Sequence, residues 1–211
     1  VFRDVSSWYH IVVAFDTTQS TAANRVKLYV NGTQVTAFDN NTLPSQNHET
    51  VANSTGEHQV GNQINNTRYF DGYIAEVNQV DGLQLGPESF GQTDLDTGAW
   101  IPKQYSGSYG TNGFYLKFAD NSGVTATTLG KDSSGNSNNF TPNNFQVSTP
   151  GGTDSMQDTP TNNWCTLNSV ANSTGTRTLS DGNLQADLSG SGAKAVGTFL
   201  IPTSGKWYWE M

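Results

Sequence analysis

The chain has 211 residues, of which 34% are hydrophobic and only 13% are charged, and its formal net charge is −8. The low charge argues against a disordered acidic tail, and the scarcity of strong helix formers argues against a helical or doubly wound α/β protein. Its 10 Lys and Arg residues form no basic stripe, so we expect neither nucleic-acid nor anionic-membrane binding. No apolar run reaches the roughly 18 residues that span a bilayer, so membrane insertion is not expected.

The first 38 residues predict three strands. Residues 8–15 (WYHIVVAF) are almost continuously apolar, which predicts a strand buried on both faces. Residues 25–30 (RVKLYV) alternate, so we expect the Val and Leu side chains to point inward. Asn31 and Gly32 separate this strand from residues 33–38 (TQVTAF). Because Asn-Gly readily supplies two residues with positive φ, the pattern predicts a tight β-hairpin.

The rest of the chain alternates strands with polar loops. Residues 68–82 (RYFDGYIAEVNQVDG) predict a longer strand, and residues 83–113 predict an ordered loop rich in Gly, Ser and Tyr. Residues 114–120 (FYLKFAD) predict another strand. From residue 172 onward we expect three short strands, and the last of them ends in SGKWYWEM. Short strands without a helical period indicate an all-β protein, an antiparallel β-sandwich or jelly roll.

Two segments resemble known families. The series WYHIVVAFDTT, NRVKLYVNGTQVTAF and RYFDGYIAEVNQVDG resembles the C-terminal part of concanavalin A-like lectin/glucanase domains of the laminin-G and pentraxin type. That family carries a Trp-led strand, a Y-[IV]-[ND]-G hairpin and a [FY]-x-G-x-[IL]-x-[ED]-[VL] strand in this order. The stretch from TLSDGNLQADL to GKWYWEM resembles the start of a SPRY domain. The order of all these segments is similar to virion proteins of tailed phages, especially marine ones.

The resemblance implies a modular organisation. Residues 1–95 correspond to the C-terminal part of a lectin-like jelly roll, residues 96–168 to a loop-rich connector, and residues 169–211 to the start of a second, partial β-sandwich of SPRY type. Both ends then fall inside sandwiches, so we expect the sequence to be a segment of a longer polypeptide. The alternative is that the terminal strand docks on a sheet edge of this same chain.

Catalysis is not expected. Retaining glycosidases need two carboxylates about 5 Å apart, which on one strand face requires acids two or four positions apart. The glucanase branch of the resembled superfamily typically shows E-x-D-x-x-E. Here Glu76 and Asp81 are five positions apart, as are Asp71 and Glu76, so neither pair shares a face. We therefore predict a protein that is not an enzyme and has no catalytic residue.

A carbohydrate site is the first functional hypothesis. Trp100, Tyr105 and Tyr109 lie in one loop and Asn112 follows them, so aromatic faces and an amide occur together. Sugar rings stack on aromatic faces and hydrogen-bond to amides and carboxylates. The alternative is that these aromatic side chains pack between domains.

A calcium site is the second hypothesis. Asp132, Asn136 and Asn138 in KDSSGNSNN offer oxygen ligands in a Gly-rich turn, and many laminin-G and pentraxin domains bind calcium through such side chains. The alternative is an Asx-turn, in which these side chains bond to nearby backbone groups. No other cofactor is expected.

The expected function follows from these segments together. Cys165 is the only cysteine, so no intrachain disulfide can form, which suits a protein made in a reducing cytoplasm that works outside the cell. We expect a virion or extracellular structural and adhesion component, such as a tail fibre or appendage. Its expected partners are other virion proteins, host-surface glycans and further copies of itself in a homo-oligomer. The alternatives are an accessory carbohydrate-binding region of a secreted polysaccharide-degrading enzyme and a purely architectural virion subunit.

Overall fold

The structure is a computed structural model with two compact units. The larger unit comprises Tyr9–Ser148, and the smaller unit comprises Val1–Trp8 with Thr149–Met211. The module boundaries expected near residues 95 and 168 mark segments of sequence resemblance and stay a prediction. The residues described are 2, 7–39, 42–63, 68–147, 154–156, 158–162, 164–168, 171–180, 182–199, 201 and 203–208.

The described residues form nine strands and no α-helix, and every strand pair is antiparallel. This confirms the all-β, antiparallel fold class and is consistent with a concanavalin A-like sandwich. Single 3-10 turns lie at Ala22–Asn24, Val51–Asn53 and Pro87–Ser89. The strands are β1 (Ile11–Phe15), β2 (Val26–Val30), β3 (Thr33–Val35), β4 (Val77–Gln79), β5 (Gly91–Thr93), β6 (Trp100–Pro102), β7 (Phe114–Leu116), β8 (Thr176–Ser180) and β9 (Gln185–Ser189).

The predicted hairpin is confirmed. β2 and β3 pair directly across Asn31 and Gly32, which have φ angles of 47° and 79°. These are the two left-handed residues that a tight two-residue turn requires. β1 pairs with the other side of β2, so the three strands form one sheet in the order β1-β2-β3.

The expectation that β1 is buried on both faces is wrong. Val12 and Ala14 are buried, whereas Ile11, Val13 and Phe15 are 51%, 54% and 44% exposed. Successive side chains of a strand point to opposite faces, so β1 has one covered face and one open apolar face.

The register of β2 reverses the expected orientation of its side chains. Val12 is opposite Tyr29 and Ala14 is opposite Lys27, so the polar positions of β2 share the covered face. Leu28 is opposite Val13 on the open face, and all five residues of β2 are partly buried. The apolar side chains of β2 were expected to point inward, but they belong to the more open face of the sheet.

The long strand predicted over residues 68–82 is also wrong, because only Val77–Gln79 is a strand. Glu76 has a φ of 56°, in the left-handed region, and this interrupts the extended backbone before β4. β4 pairs with β7, whose three residues are all buried and form the core of the larger unit with Leu129. The strand predicted at residues 114–120 is confirmed only for Phe114–Leu116, and Phe118 has a left-handed φ of 52°.

The smaller unit contains the β8–β9 hairpin, and both of its strands overlap the first of the three predicted C-terminal strands, residues 178–188, so a hairpin lies where one strand was expected. Within the described residues, the segment of the second predicted strand, residues 193–202, contributes an isolated bridge between Gly197 and Leu167. The final aromatic strand expected at the C-terminus falls partly on Trp209 and Met211, which lie outside the described residues. Among the residues described in both units, no helix has the length and apolar character needed to cross a membrane.

Candidate functional site

The loop between β6 and β7 packs on β7 through a row of aromatic rings. The ring centroids of Phe90 and Tyr105 are 5.2 Å apart, and those of Tyr105 and Tyr109 are also 5.2 Å apart in an edge-on arrangement. Tyr109 then stacks on Tyr115 of β7 at 6.0 Å. These spacings lie within the range in which aromatic pairs attract each other.

Tyr109 anchors this loop. It is 8% exposed, and its hydroxyl donates a hydrogen bond to Asn78 Oδ1 at 2.7 Å. Burial, followed by the nearby Tyr105 and acidic groups, raises the pKa of Tyr109 to about 12. A ring buried to this extent has no open face on which a sugar could stack, so the expected sugar contact by Tyr109 does not fit its position.

Tyr105 is the more accessible of the two tyrosines. Its ring is partly exposed, and its hydroxyl donates to the Ser108 carbonyl at 3.1 Å. A Cβ atom added to Gly107 would lie 2.2 Å from the Tyr105 hydroxyl, so the glycine permits this close approach. The loop thereby holds the ring in one place while part of it stays open to solvent.

Asn112 and Asp81 close the other end of the loop. The backbone N–H of Asn112 donates to Asp81 Oδ2 at 3.1 Å, and the backbone N–H of Asp81 donates to the Tyr109 carbonyl at 2.9 Å. The Asn112 amide donates to the Asn53 carbonyl at 2.7 Å. Within the described part of the chain, Asp81 Oδ1 and Asn112 Oδ1 accept no hydrogen bond.

The residues considered for calcium form an Asx-turn. Asp132 Oδ1 accepts the N–H groups of Tyr115 and Ser134, both at 2.8 Å. Asp132 Oδ2 accepts the Ser134 hydroxyl at 2.8 Å and the N–H of Asn138 at 2.9 Å. Burial raises the pKa of this carboxyl, but these hydrogen bonds outweigh it, so the pKa lies below its ordinary value.

The same turn clamps the aromatic loop. The Asn136 amide donates to the carbonyls of Gly110 and Gly113 at 2.7 and 2.8 Å. The Asn138 amide donates to those of Thr111 and Gly113 at 3.2 and 2.9 Å. The two sites that the sequence suggested separately are therefore one structure. Across the described ranges, no group of three or more His, Cys, Asp or Glu side chains is arranged to hold a metal ion.

Trp100 lies in a different part of the larger unit. Its indole N–H donates to His10 Nδ1 at 2.9 Å, and the two rings are stacked with centroids 5.9 Å apart. A Cβ atom added to Gly32 or Gly91 would lie 2.6 or 2.5 Å from the indole ring. Trp100 is thus packed against the hairpin turn and β5, and it shares no ring contact with Tyr105 among the described pairs.

Two of the three carboxylates considered for catalysis, Asp81 and Glu76, have structural partners. Asp81 holds the loop at Asn112, as described above. Burial, followed by the charge of Glu76 and a hydrogen bond with it, raises the pKa of Tyr115, so Glu76 interacts with that hydroxyl. Neither carboxylate is thus without a protein contact.

Several exposed aromatic residues were not singled out from the sequence. Tyr69, Phe70 and Tyr73 were assigned to a strand, but they lie on an exposed irregular segment of the larger unit. Trp164 is 57% exposed in the smaller unit. The clustering of aromatic residues around Asp71 was the one available signal for the first group, and Trp164 carried none.

Comparison with known proteins gives a match to one family model over part of the chain. Residues 2–88 match the laminin-G model of the Concanavalin A-like lectin/glucanases superfamily. This is the part of the chain that contains β1 to β4, and the match agrees with the resemblance seen in its sequence. No curated protein and no solved structure matched the chain.

Proposed function

We propose that the chain is a non-enzymatic carbohydrate-binding protein and that the loop from Tyr105 to Asn112 is its sugar-binding site. The observation that carries the proposal is the partly exposed Tyr105 ring in a loop with two open acceptor oxygens, Asp81 Oδ1 and Asn112 Oδ1. A sugar presents a C–H face to an aromatic ring and hydroxyl donors to such oxygens. The match of residues 2–88 to a lectin/glucanase superfamily supports the same class of ligand.

In this proposal the chain binds a sugar and does not hydrolyse it. Asp81 and Glu76 are engaged in hydrogen bonds within the larger unit, and their spacing along the chain gives no acid pair on one strand face. In this proposal the carboxylates position the loop and orient a sugar.

The proposed setting is the surface of a tailed-phage virion, as a tail fibre or appendage outside the cell. The partners would be other virion proteins, host-surface glycans and further copies of the chain. A single sugar contact of this size is weak, so several copies on one particle would supply the avidity needed for attachment.

A purely architectural subunit is the second candidate. The open apolar face formed by Ile11, Val13 and Phe15 favours it, because contiguous exposed apolar residues commonly mark protein–protein contacts. In that case the aromatic loop would contact protein rather than sugar.

A multimerised 211-residue chain on a glycan array tests the proposal. We expect binding to a subset of oligosaccharides, and no new reducing ends after long incubation with them. Tyr105→Ala should abolish the signal with little change in melting temperature, because the ring is partly exposed. Tyr69→Ala, which removes an exposed ring outside the loop, is the matched control.

The possible outcomes separate the hypotheses. Loss of binding with Tyr69→Ala and not with Tyr105→Ala would move the sugar site to the segment around Tyr69. Absence of binding to every glycan by folded, multimeric protein would remove the carbohydrate proposal and favour the architectural candidate. Release of reducing ends would contradict the non-enzymatic part of the proposal.

A further inference from the structure

The smaller unit contains a pocket of about 300 Å³. This volume is at the lower end of the roughly 300–1,000 Å³ typical of small-molecule sites. The pocket lies outside the residues that match the lectin family. Its lining residues are Ser155, Met156, Asp158, Trp164, Thr166 and Leu184.

Trp164 forms an accessible apolar wall. More than half of its surface is exposed, while its backbone N–H donates to Asp158 Oδ1 at 2.7 Å and so fixes the residue in place. Met156 and Leu184 add further apolar surface to the lining. A ligand with one apolar face can therefore displace water from this wall.

Asp158 is held in position by neutral donors. Oδ1 accepts the Trp164 N–H, and Oδ2 accepts the indole N–H of Trp8 at 3.1 Å. A carboxylate has about four acceptor positions, so these two bonds leave lone pairs for a ligand. Because both donors are uncharged, they orient the carboxylate without neutralising it.

Thr166 supplies an unpaired hydroxyl. The residue is 8% exposed, and its backbone N–H and carbonyl are both bonded to Thr198, at 3.1 and 2.8 Å. Its hydroxyl makes no hydrogen bond to any described residue. Among all described residues, Gln59 Oε1 is the one side-chain polar atom that is both fully enclosed and without a hydrogen-bond partner. The Thr166 hydroxyl, which also has no partner among these residues, is therefore not fully enclosed and reaches accessible space. A hydroxyl that has no protein partner and faces such space is available to bond to a ligand in the pocket.

We propose that this pocket binds a single sugar ring, with the C–H face of the ring on Trp164 and its hydroxyls bonded to Asp158 and Thr166. A small ammonium ion would also suit the indole and the carboxylate. It would offer no acceptor to the Thr166 hydroxyl, whereas each sugar hydroxyl both donates and accepts. The pocket is separate from the Tyr105 loop and does not require that loop to bind glycan.

Titration of the full chain with methyl glycosides of glucose, galactose and mannose, and with N-acetylglucosamine, tests the pocket. The probe is the set of indole ¹H–¹⁵N signals from the five tryptophans, with that of Trp164 assigned by Trp164→Phe. We expect at least one sugar to shift the Trp164 signal, with a dissociation constant of about 1 mM, the weak end of specific binding. Tyr105→Ala should leave this titration unchanged, which separates the pocket from the loop site.

Three variants locate the binding. Trp164→Ala should weaken it about tenfold or more, which corresponds to loss of the stacking surface. Thr166→Val keeps the shape and removes an unpaired hydroxyl, so binding should fall severalfold while the melting temperature does not decrease. Trp207→Ala, a substitution of another largely exposed tryptophan of this unit that does not line the pocket, should change nothing.

The proposal is overturned if no sugar shifts the Trp164 signal in folded protein, or if Thr166→Val binds as tightly as the unsubstituted chain. Tetramethylammonium shifting that signal where the sugars do not would assign the pocket to a cation instead. If Trp164→Ala fails to fold, the Thr166→Val result decides.

Discussion

Gly32 is subject to two independent constraints. Its φ of 79° lies in the left-handed region, and a Cβ atom there would lie 2.6 Å from the Trp100 ring. Gly32→Ala should lower the free energy of unfolding by about 3 kcal/mol, because strain in the left-handed region and displacement of a packed ring add together. Urea denaturation measures this.

Gly98→Ala is the matched control for Gly32. Gly98 has a φ of 72° and has nothing within 4 Å of an added Cβ. Gly98→Ala should therefore lower the free energy of unfolding only by the strain of alanine in the left-handed region, about 1 kcal/mol. The difference between the two variants isolates the Trp100 contact. If the two variants lose the same free energy of unfolding, the Trp100 indole moves away from the new methyl group at no energetic cost.

His10 should make the larger unit sensitive to mild acid. Trp100 donates to His10 Nδ1, which must be unprotonated to accept, and burial lowers the pKa of His10 below 6.5. The folded state then binds fewer protons than the unfolded state just below pH 6.5. The contribution of neutral His10 to the free energy of unfolding is therefore complete above that pH and is lost as the pH falls. We expect the melting temperature to decrease between about pH 7 and pH 5.

Replacement of His10 by glutamine distinguishes the acid sensitivity caused by His10 from that caused by other titrating groups. His10→Gln retains an acceptor for the indole N–H and does not titrate, so the melting temperature should vary less over this range. His48→Gln, at an exposed loop position, should leave the original profile. A profile unaffected by His10→Gln would place the acid sensitivity elsewhere.

At the scale of elements, the Asx-turn at residues 132–138 organises the aromatic loop. Asp132 is buried and accepts four hydrogen bonds, and the amides that follow it hold the loop carbonyls. Asp132→Asn should lower the free energy of unfolding by about 3 kcal/mol, because the new amide N–H group faces donors rather than acceptors. Calorimetry measures the loss, and the Tyr105-dependent glycan signal should weaken with it.

The pH dependence of Asp132 has the sign of a lowered carboxyl pKa. The folded state binds fewer protons than the unfolded state below about pH 4, so its stabilisation is present above that pH and is lost on further acidification. Asp132→Asn should remove part of this acid sensitivity. Asp120→Asn is the control, because among the described residues the exposed Asp120 carboxylate accepts hydrogen bonds from the N–H and hydroxyl of Ser122 only. It should have a smaller effect on both stability and glycan binding. Similar effects of the two variants would contradict the central role of Asp132.

At the scale of the whole molecule, the open face of β1 should drive association. Ile11, Val13 and Phe15 form an exposed apolar row on a strand at the edge of its sheet, and the proposed homo-oligomer would cover it. Val13→Lys should raise the monomer fraction measured by light scattering across a concentration series. Val51→Lys, at an exposed position in a 3-10 turn, should leave that fraction unchanged. A wild-type chain that is monomeric at every concentration would contradict this prediction.

The sequence was most informative where structure is local. Asn31 and Gly32 require positive φ whatever surrounds them, so the hairpin and its strands could be predicted. The all-β class followed from composition, because few residues favour a helix and many favour a strand. The absence of a glycosidase acid spacing was likewise visible along the chain.

Only the tertiary structure decided which face of β1 is covered, because alternation identifies two faces and the second layer determines which is buried. It also separated Trp100 from Tyr105 and joined the Asx-turn to the loop at Gly113, through hydrogen bonds between segments more than 20 residues apart. The pocket at Trp164 depends on the same kind of pairing, since Trp8 reaches Asp158 across 150 positions. Turn geometry depends on the conformation of one or two residues, whereas a site depends on which distant segments meet, and that is determined by packing.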